Sequence, residues 1–224
     1  MSKYWKINKK LGKLTTKVEE GTDGAVEYEH AFGTKWQLES DSVEGTLECF
    51  FIREPDEEGF NKDPELLIGL QDANGDVNVF TCQTKFLSKA GDTWPTNEFS
   101  YIAKRVGNIN PEHPVKIKLF QAEDADGYSK IYPLIYQGGR KPLPLAIEKD
   151  KMPRAEVIEA GGRKIWDTSK VIETLEGAVK DFSSKHSKLF ESKKAERDPT
   201  EAEKLAEVDA KADMATADTE AVPF

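Results

Sequence analysis

The sequence predicts a mainly β fold with a short helix in its core, and two observations support that prediction. Between residues 43 and 136, five short runs rich in β-branched and aromatic residues are separated by turn residues, as strands usually are. One run in that stretch, residues 96–106, instead has apolar side chains at helical spacing. With 224 residues, the chain has room for one medium domain with appendages or for two small domains.

The first predicted strand covers residues 43–53, where Leu47, Cys49 and Phe51 alternate with their neighbours. The second and third strands, residues 65–71 and 77–85, are joined by a tight turn at residues 72–76 that contains Asn-Gly. Two later runs, at residues 115–121 and 128–136, complete the set. Five strands with alternating faces indicate a sheet or barrel with one buried side.

The helical run at residues 96–106 follows Pro95, and Gly107 is positioned to end the helix. One face of this helix carries Phe99, Ile102, Ala103 and Val106. This helix falls between the third and fourth strands. That order matches the five-stranded OB-fold barrel, so we expect an OB-fold core over residues 24–136. Other small β-barrels share this strand count and remain alternatives.

Residues 1–23 precede this core and are predicted to form a basic N-terminal arm or an edge strand. The first 18 residues hold six lysines and no acid. They also contain the pair Tyr4-Trp5, two rings that are able to stack on bases. The segment therefore combines cationic and aromatic side chains.

Residues 137–194 form a basic appendix with 13 cations and nine anions. Asp167-Thr168-Ser169 is typical of a helix N-cap, and apolar residues recur after it at helical spacing. These residues are Val171, Leu175, Ala178, Val179, Phe182, His186 and Phe190. One amphipathic helix of about five turns is expected here.

Residues 195–224 carry nine carboxylates and three cations, and their apolar content is mostly alanine. Such a segment buries too little apolar surface to offset its ordering entropy, so we expect a disordered acidic tail. The tail ends in Pro223-Phe224, which places an aromatic ring and a carboxylate at the tip of a charged tether. A tip of this kind suits capture by a partner protein. The alternative is an ordinary frayed C-terminus.

The chain gives no positive reason to be an enzyme. It has no glycine-rich phosphate loop, no nucleophile elbow and no Cys-x-x-Cys, and its three histidines lie in different elements. We expect no metal and no cofactor. Cys49 and Cys82 are expected to be buried free thiols, with a single disulfide as the alternative. Without a signal peptide or an apolar run of membrane-spanning length, the protein is expected in the cytoplasm.

Alternation in the last two strands predicts a nucleic-acid-binding surface. One side of each strand is apolar, and the other side carries lysines and rings. Rings stack on bases of any identity while lysines follow the phosphates, which is what single-strand binding requires. The alternative is that the rings pack under the helix and the lysines are solvated. The candidate residues are Lys116, Lys118, Phe120, Tyr128, Lys130, Tyr132 and Tyr136, together with Trp36, Trp94, Tyr101, Lys104, Arg105, Arg140 and Lys141.

The acidic tail with its Pro-Phe end, taken with this basic and aromatic face, resembles the single-stranded DNA-binding proteins of bacteria and bacteriophages. That resemblance implies a protein that coats single-stranded DNA without sequence preference during replication, recombination or repair. It also implies that the tip recruits partner proteins, through residues that correspond here to Asp218, Glu220, Pro223 and Phe224. The chain departs from the usual bacterial pattern in its long loop at residues 56–64 and its basic appendix. These departures favour a divergent phage version, with homo-oligomer formation left open.

A function of a different class stays open from the sequence alone. The β domain and the helix could mediate protein contacts only, as in a phage structural or assembly protein. Net charge is −9, so global charge alone would not bring this chain to nucleic acid.

Overall fold

A computed structural model of the protein describes residues 2–30, 33–55, 63–88, 90–123, 129–160 and 163–197. The strands in chain order are β1 (Lys3–Asn8), β2 (Lys13–Val18), β3 (Val26–His30), β4 (Gly33–Ser40), β5 (Ser42–Arg53), β6 (Glu65–Gln71), β7 (Val77–Gln83), β8 (Lys85–Leu87), β9 (Thr93–Pro95), β10 (Val115–Glu123), β11 (Ser129–Tyr136), β12 (Glu156–Ala160) and β13 (Arg163–Asp167). The helices are α1 (Asn97–Ala103), α2 (Ser169–Lys185) and α3 (Ser187–Arg197), with a 3₁₀ turn at Val106–Asn108. The predicted mainly β class is confirmed.

Nine of these strands form one sheet in the order β11-β10-β5-β6-β7-β1-β2-β4-β3. Within it, β10-β5-β6-β7 has the spatial order of a Greek key, in which a fourth strand returns to lie beside the first. Helix α1 lies in the connection between β7 and β10. Among the described residues no pairing joins the two end strands, β3 and β11, so this nine-stranded sheet is not closed into a barrel. The sequence had predicted a five-stranded barrel.

Strand β5 serves both halves of the sheet. Its first residues pair with β10, where Gly45 lies opposite Val115, and its later residues pair with β6. A Cβ atom on Gly45 would clash with the backbone oxygen of Gln71, so this position requires a residue without a side chain. A register shift between Leu47 and Cys49 also changes the alternation predicted for this strand.

The N-terminal residues form a strand inside the sheet, so the predictions of a free arm or an edge strand are wrong. Strand β1 pairs with β2 on one side and, in parallel, with β7 on the other. Trp5, expected to be available for stacking, is only 7% exposed and donates its indole N–H to Asn78 Oδ1 at 2.9 Å. The apolar positions of this segment made it a core strand.

The predicted turn between β6 and β7 is confirmed. Asp72 Oδ1 accepts hydrogen bonds from the backbone N–H groups of Asn74 and Asp76, at 2.9 and 3.1 Å. Gly75 has φ of +85°, a conformation that glycine adopts without steric cost.

Helix α1 is shorter than predicted. Thr96 caps its N-terminus by accepting the Phe99 N–H, and the helix ends at Ala103. Gly107 lies within the following 3₁₀ turn rather than ending an α-helix. The buried face of Phe99, Ile102 and Ala103 is the one that the sequence predicted.

The basic appendix contains the β12–β13 hairpin, which the sequence reading missed, and helix α2. Asp167 Oδ1 accepts the Ser169 N–H at 2.9 Å, which confirms the predicted N-cap region. Phe182 of α2 meets Phe50 edge-to-face with centroids 5.2 Å apart, and the Ser183 hydroxyl donates to the Phe50 carbonyl. The predicted single helix is in fact two helices, because helical structure is interrupted by a turn at His186. Helix α3 belongs to a second compact unit.

Candidate nucleic-acid interface

Strands β10 and β11 pair antiparallel and separate their apolar and polar residues as alternation predicted. Ile117 and Ile135 are directly opposite each other and fully buried. The other side of the pair, called the hairpin face below, carries Lys116, Lys118, Phe120, Lys130, Tyr132 and Tyr136. Lys116 lies opposite Tyr136, and Phe120 lies opposite Tyr132. The pairing therefore places these predicted residues together.

A row of aromatic rings crosses the hairpin face toward α1. Phe120 is 54% exposed, and its cross-strand neighbour Tyr132 is half-buried. The Tyr132 ring packs against Tyr101 of α1 with centroids 4.6 Å apart. Arg105 lies over the Tyr101 ring at 5.4 Å from its centroid, within the range of a cation–π contact. Four of the predicted residues are thus neighbours. Tyr132, Tyr101 and Arg105 are linked by ring contacts, and the exposed Phe120 lies opposite Tyr132.

Lys104 and Arg105 also hold the segment that follows β11. Arg105 donates from Nε to the Leu143 carbonyl at 3.0 Å and from Nη1 to the Tyr101 carbonyl at 2.8 Å. The Lys104 carbonyl accepts the N–H groups of Ala146 and Ile147. Burial lowers the pKa of Lys104, and the positive charge of Arg105 lowers it further. Both residues therefore stabilise the fold through hydrogen bonds to residues 143–147, whether or not they contact phosphate.

At the other end of the hairpin face, Lys116 is neutralised by Glu44 of β5, with Nζ 2.8 Å from Oε2. Lys116 and Tyr136 line a cavity of about 740 Å³ with His113. Arg140 and Lys141 follow in the next turn and are exposed. Lys118, between the two ends, is exposed and makes no ion pair with a described residue.

The remaining predicted residues lie elsewhere. Trp36 is half-buried on β4, opposite Val18 of β2. Trp94 is half-buried on β9, and its ring centroid is 6.3 Å from that of Trp166. Tyr128 and the tail residues Asp218, Glu220, Pro223 and Phe224 lie outside the described residues.

Two exposed rings were missed by the sequence reading. Trp166 on β13 is 48% exposed, and Phe86 on β8 lies opposite Trp94 with 47% of its surface exposed. The signal for β13 was the Gly161-Gly162 pair between two strand-like runs, a common hairpin turn. Acidic side chains surround this site, because Asp92, Asp167, Glu173 and Glu176 line the adjoining cavity of about 450 Å³. Such surroundings oppose the approach of phosphate.

The described residues contain no group of three or more His, Cys, Asp or Glu side chains able to hold a metal ion. Cys49 and Cys82 are free thiols and half-buried as residues. Burial of the sulfur raises the pKa of the Cys82 thiol, and the carboxylates of Glu98 and Glu65 add to that effect. A thiol held in its neutral form is a poor nucleophile and a poor metal ligand.

The chain was compared with known proteins in three ways. It matches no protein-family model, no curated protein and no solved structure. Of the helices in the described ranges, none combines the length and the apolar character needed to cross a membrane.

Proposed function

We propose that this protein binds single-stranded DNA without sequence preference, and that the hairpin face is its contact surface. The observation that carries the proposal is the exposed ring of Phe120, in register with Tyr132 and two residues from the exposed Lys118. Rings on neighbouring strands provide stacking positions for successive bases, and stacking is worth about 1–3 kcal/mol per base. The lysines contact phosphates, which makes the binding depend strongly on salt.

The strand pairing supports an OB-related core for this function. The OB-fold is a partly open Greek-key barrel that binds oligonucleotides on its strands. The Greek key β10-β5-β6-β7, with β11 beside β10 and α1 between the third and fourth strands, has the expected order. We propose that β5, β6, β7, β10 and β11 are the five OB strands, and that β1–β4 extend the sheet beyond them.

The acidic residues after α3 are proposed to act as a tether for partners. Residues 198–224 carry eight carboxylates and two cations and end in Pro223-Phe224. A basic pocket on a replication, recombination or repair protein would take the carboxylates, and an apolar pocket would take the ring. Binding and recruitment make and break no bond, so the proposed role is not enzymatic. It would place the protein in the cytoplasm of a bacterial host.

The test is an anisotropy titration of a labelled oligo-dT and of a duplex of equal length, at several salt concentrations. We expect tight, salt-dependent binding of the single strand and much weaker binding of the duplex. Phe120→Ala and Lys118→Gln should each weaken binding. Their matched controls, Phe86→Ala and Lys164→Gln, change an exposed ring on β8 and an exposed lysine on β13 and should not. Equal affinity for strand and duplex, or equal effects of variants and controls, would refute the proposal.

A second candidate function has its own supporting observation. The exposed apolar side chains of Trp166, Val157 and Phe86 lie on two small hairpins bounded by acidic residues, a composition more suited to a protein partner than to DNA. A phage structural or assembly role would rest on this surface. Self-association that depends on Trp166, without any binding of oligo-dT, would favour it over the first proposal.

A further inference from the structure

A groove of about 910 Å³ lies on the N-terminal part of the sheet, on strands other than β10 and β11. It is called the N-terminal groove here and is defined by Tyr4, Lys6, Thr15, Lys17, Tyr28 and Gln37. These six residues come from four strands, β1 to β4.

Strand register shows that the six side chains share one face of the sheet. Lys6 lies opposite Thr15, Lys17 lies opposite Gln37, and Gln37 lies opposite Val26, two residues before Tyr28. Because side chains two residues apart in a strand point the same way, the whole set faces the groove. On the other face of β1 and β2, Trp5 and Leu14 are buried in the core, so the groove has a rigid floor.

The groove combines aromatic and cationic side chains. Tyr4 is 50% exposed and Tyr28 lines the same cavity. Lys17 is exposed and forms no ion pair with a described residue. Lys6 is held by Glu65 at 3.2 Å, but its side chain is still 63% exposed. The residues lining the groove include three lysines and one carboxylate, Glu19. Lys3 and Lys6 are paired with Asp76 and Glu65, so Lys17 is the lining lysine without a carboxylate partner among the described residues.

We propose that the N-terminal groove is a second contact site for single-stranded nucleic acid, with Tyr4 stacking on a base and Lys17 contacting a phosphate. This inference rests on the proposed function and adds a site to it. Charge complementarity selects the ligand: the exposed Tyr4 ring, on the same face as Lys17, suits a chain of alternating flat and anionic groups.

Two pairs of variants test the groove with the labelled oligo-dT. Tyr4→Ala should weaken binding about five- to 150-fold, the effect of losing one stacked base, whereas Tyr4→Phe keeps the ring and should retain affinity. Lys17→Gln should reduce the magnitude of the salt slope by about 0.7, because one phosphate contact is lost. Lys10→Gln removes the same charge from the β1–β2 turn, outside the groove, and should leave the slope unchanged.

Photo-crosslinking with bromodeoxyuridine oligonucleotides gives a second, direct readout, and the expected product is a crosslinked peptide that contains Tyr4. If Phe120→Ala weakens binding while Tyr4→Ala does not, and crosslinks occur only on β10 and β11, the groove inference is wrong and the proposed function stands. If the unmodified protein does not bind oligo-dT at all, both are wrong. Tyr4→Ala should melt as the unmodified protein does, which excludes unfolding as the cause.

Discussion

The hairpin face and the N-terminal groove are built from the same side-chain types but held in different ways. On the hairpin face, Tyr132 is packed against Tyr101, and Lys116 is neutralised by Glu44. In the groove, Tyr4 stands half-exposed and Lys17 has no carboxylate partner among the described residues. On the hairpin face, Tyr132 is therefore fixed in advance by a protein contact, which lowers the ordering cost of binding to that ring. We therefore expect changes at Tyr132 of the hairpin face to affect both binding and stability, and changes at Tyr4 of the N-terminal groove to affect binding alone.

The largest expected effect separates the two faces of β1. Trp5→Ala removes a buried ring and leaves the Asn78 side chain without its indole donor, so the free energy of unfolding should fall by about 3–5 kcal/mol. Tyr4→Ala, one residue away on the exposed face, should cost under about 1 kcal/mol. Urea denaturation of both variants measures the difference. Similar losses would mean that the face assignment of β1 is wrong.

A second variant perturbs the hairpin face without touching its side chains. In Gly45→Ala the new methyl group meets the Gln71 carbonyl, and the strain should cost about 1–3 kcal/mol in the free energy of unfolding. Since Gly45 pairs with Val115 at the start of β10, oligo-dT binding should weaken as well. Gly177→Ala is the matched control, because no atom lies within 4 Å of its added Cβ in helix α2. That control should be neutral or stabilising by up to about 1 kcal/mol. A Gly45→Ala protein as stable as the Gly177→Ala protein would contradict the close approach of the Gln71 carbonyl to Gly45.

The coupling between binding and stability on the hairpin face can be tested with two of its rings, Phe120 and Tyr132. Phe120→Ala and Tyr132→Ala should each weaken strand binding by about 1–3 kcal/mol. Only Tyr132→Ala should also lower the melting temperature, because its ring packs on Tyr101 and such a ring pair adds about 0.5–1.5 kcal/mol. Anisotropy and thermal melts on the same samples give both quantities. If both variants melt alike, the Tyr132 contact does not stabilise the fold.

Removing residues 198–224 takes away a net charge of −6. We propose that this negative charge competes with DNA for the lysines. Affinity for oligo-dT should therefore rise, most clearly at low salt where screening is weak. The same deletion is then made in the Lys118→Gln and Lys17→Gln variants. The rise in affinity for oligo-dT should be smaller in the variant whose lysine belongs to the surface with which the tail competes. Weaker binding after the deletion would instead mean that these residues contribute to the contact.

The smallest expected effect concerns the ion pair at the base of the hairpin face. Glu44→Gln frees Lys116, so the magnitude of the salt slope for oligo-dT should rise by about 0.7. Stability should change by less than about 1 kcal/mol, because both side chains are exposed and such pairs contribute little. An unchanged slope would show that Lys116 lies outside the strand path.

Local patterns predicted much of the fold. The alternation in β10 and β11, the turn at residues 72–76 and the apolar stripe of α2 all depend on neighbours within a few residues, and each is present. The parallel pairing of β1 with β7 has no local signal, because it joins segments far apart in sequence. The register shift in β5 has no local signal for a related reason, because it arises in the pairing of β5 with β6.

The candidate site shows the same division. Alternation was enough to place Phe120 and Tyr132 on one face. It did not indicate that Tyr132 would meet Tyr101, or that Glu44 would neutralise Lys116, because those contacts come from other elements. Tyr4 was noticed as a ring, yet its place beside Lys17 depends on how β1 and β2 pair. Register, more than composition, decides which lysines and rings act together.

The parallel pairing of β1 with β7 has a consequence for the speed of folding. The hydrogen bond between Trp5 and Asn78 spans 73 residues of sequence, and a ribosome makes the first strand long before the second. Until β7 emerges, the inner edge of β1 has no partner, although β2 can already pair with the other edge. Closing so long a loop is entropically costly and slows the folding of β-rich chains. The nascent chain therefore carries an unpaired, lysine-rich strand, and those charges help to keep that edge from pairing with other chains.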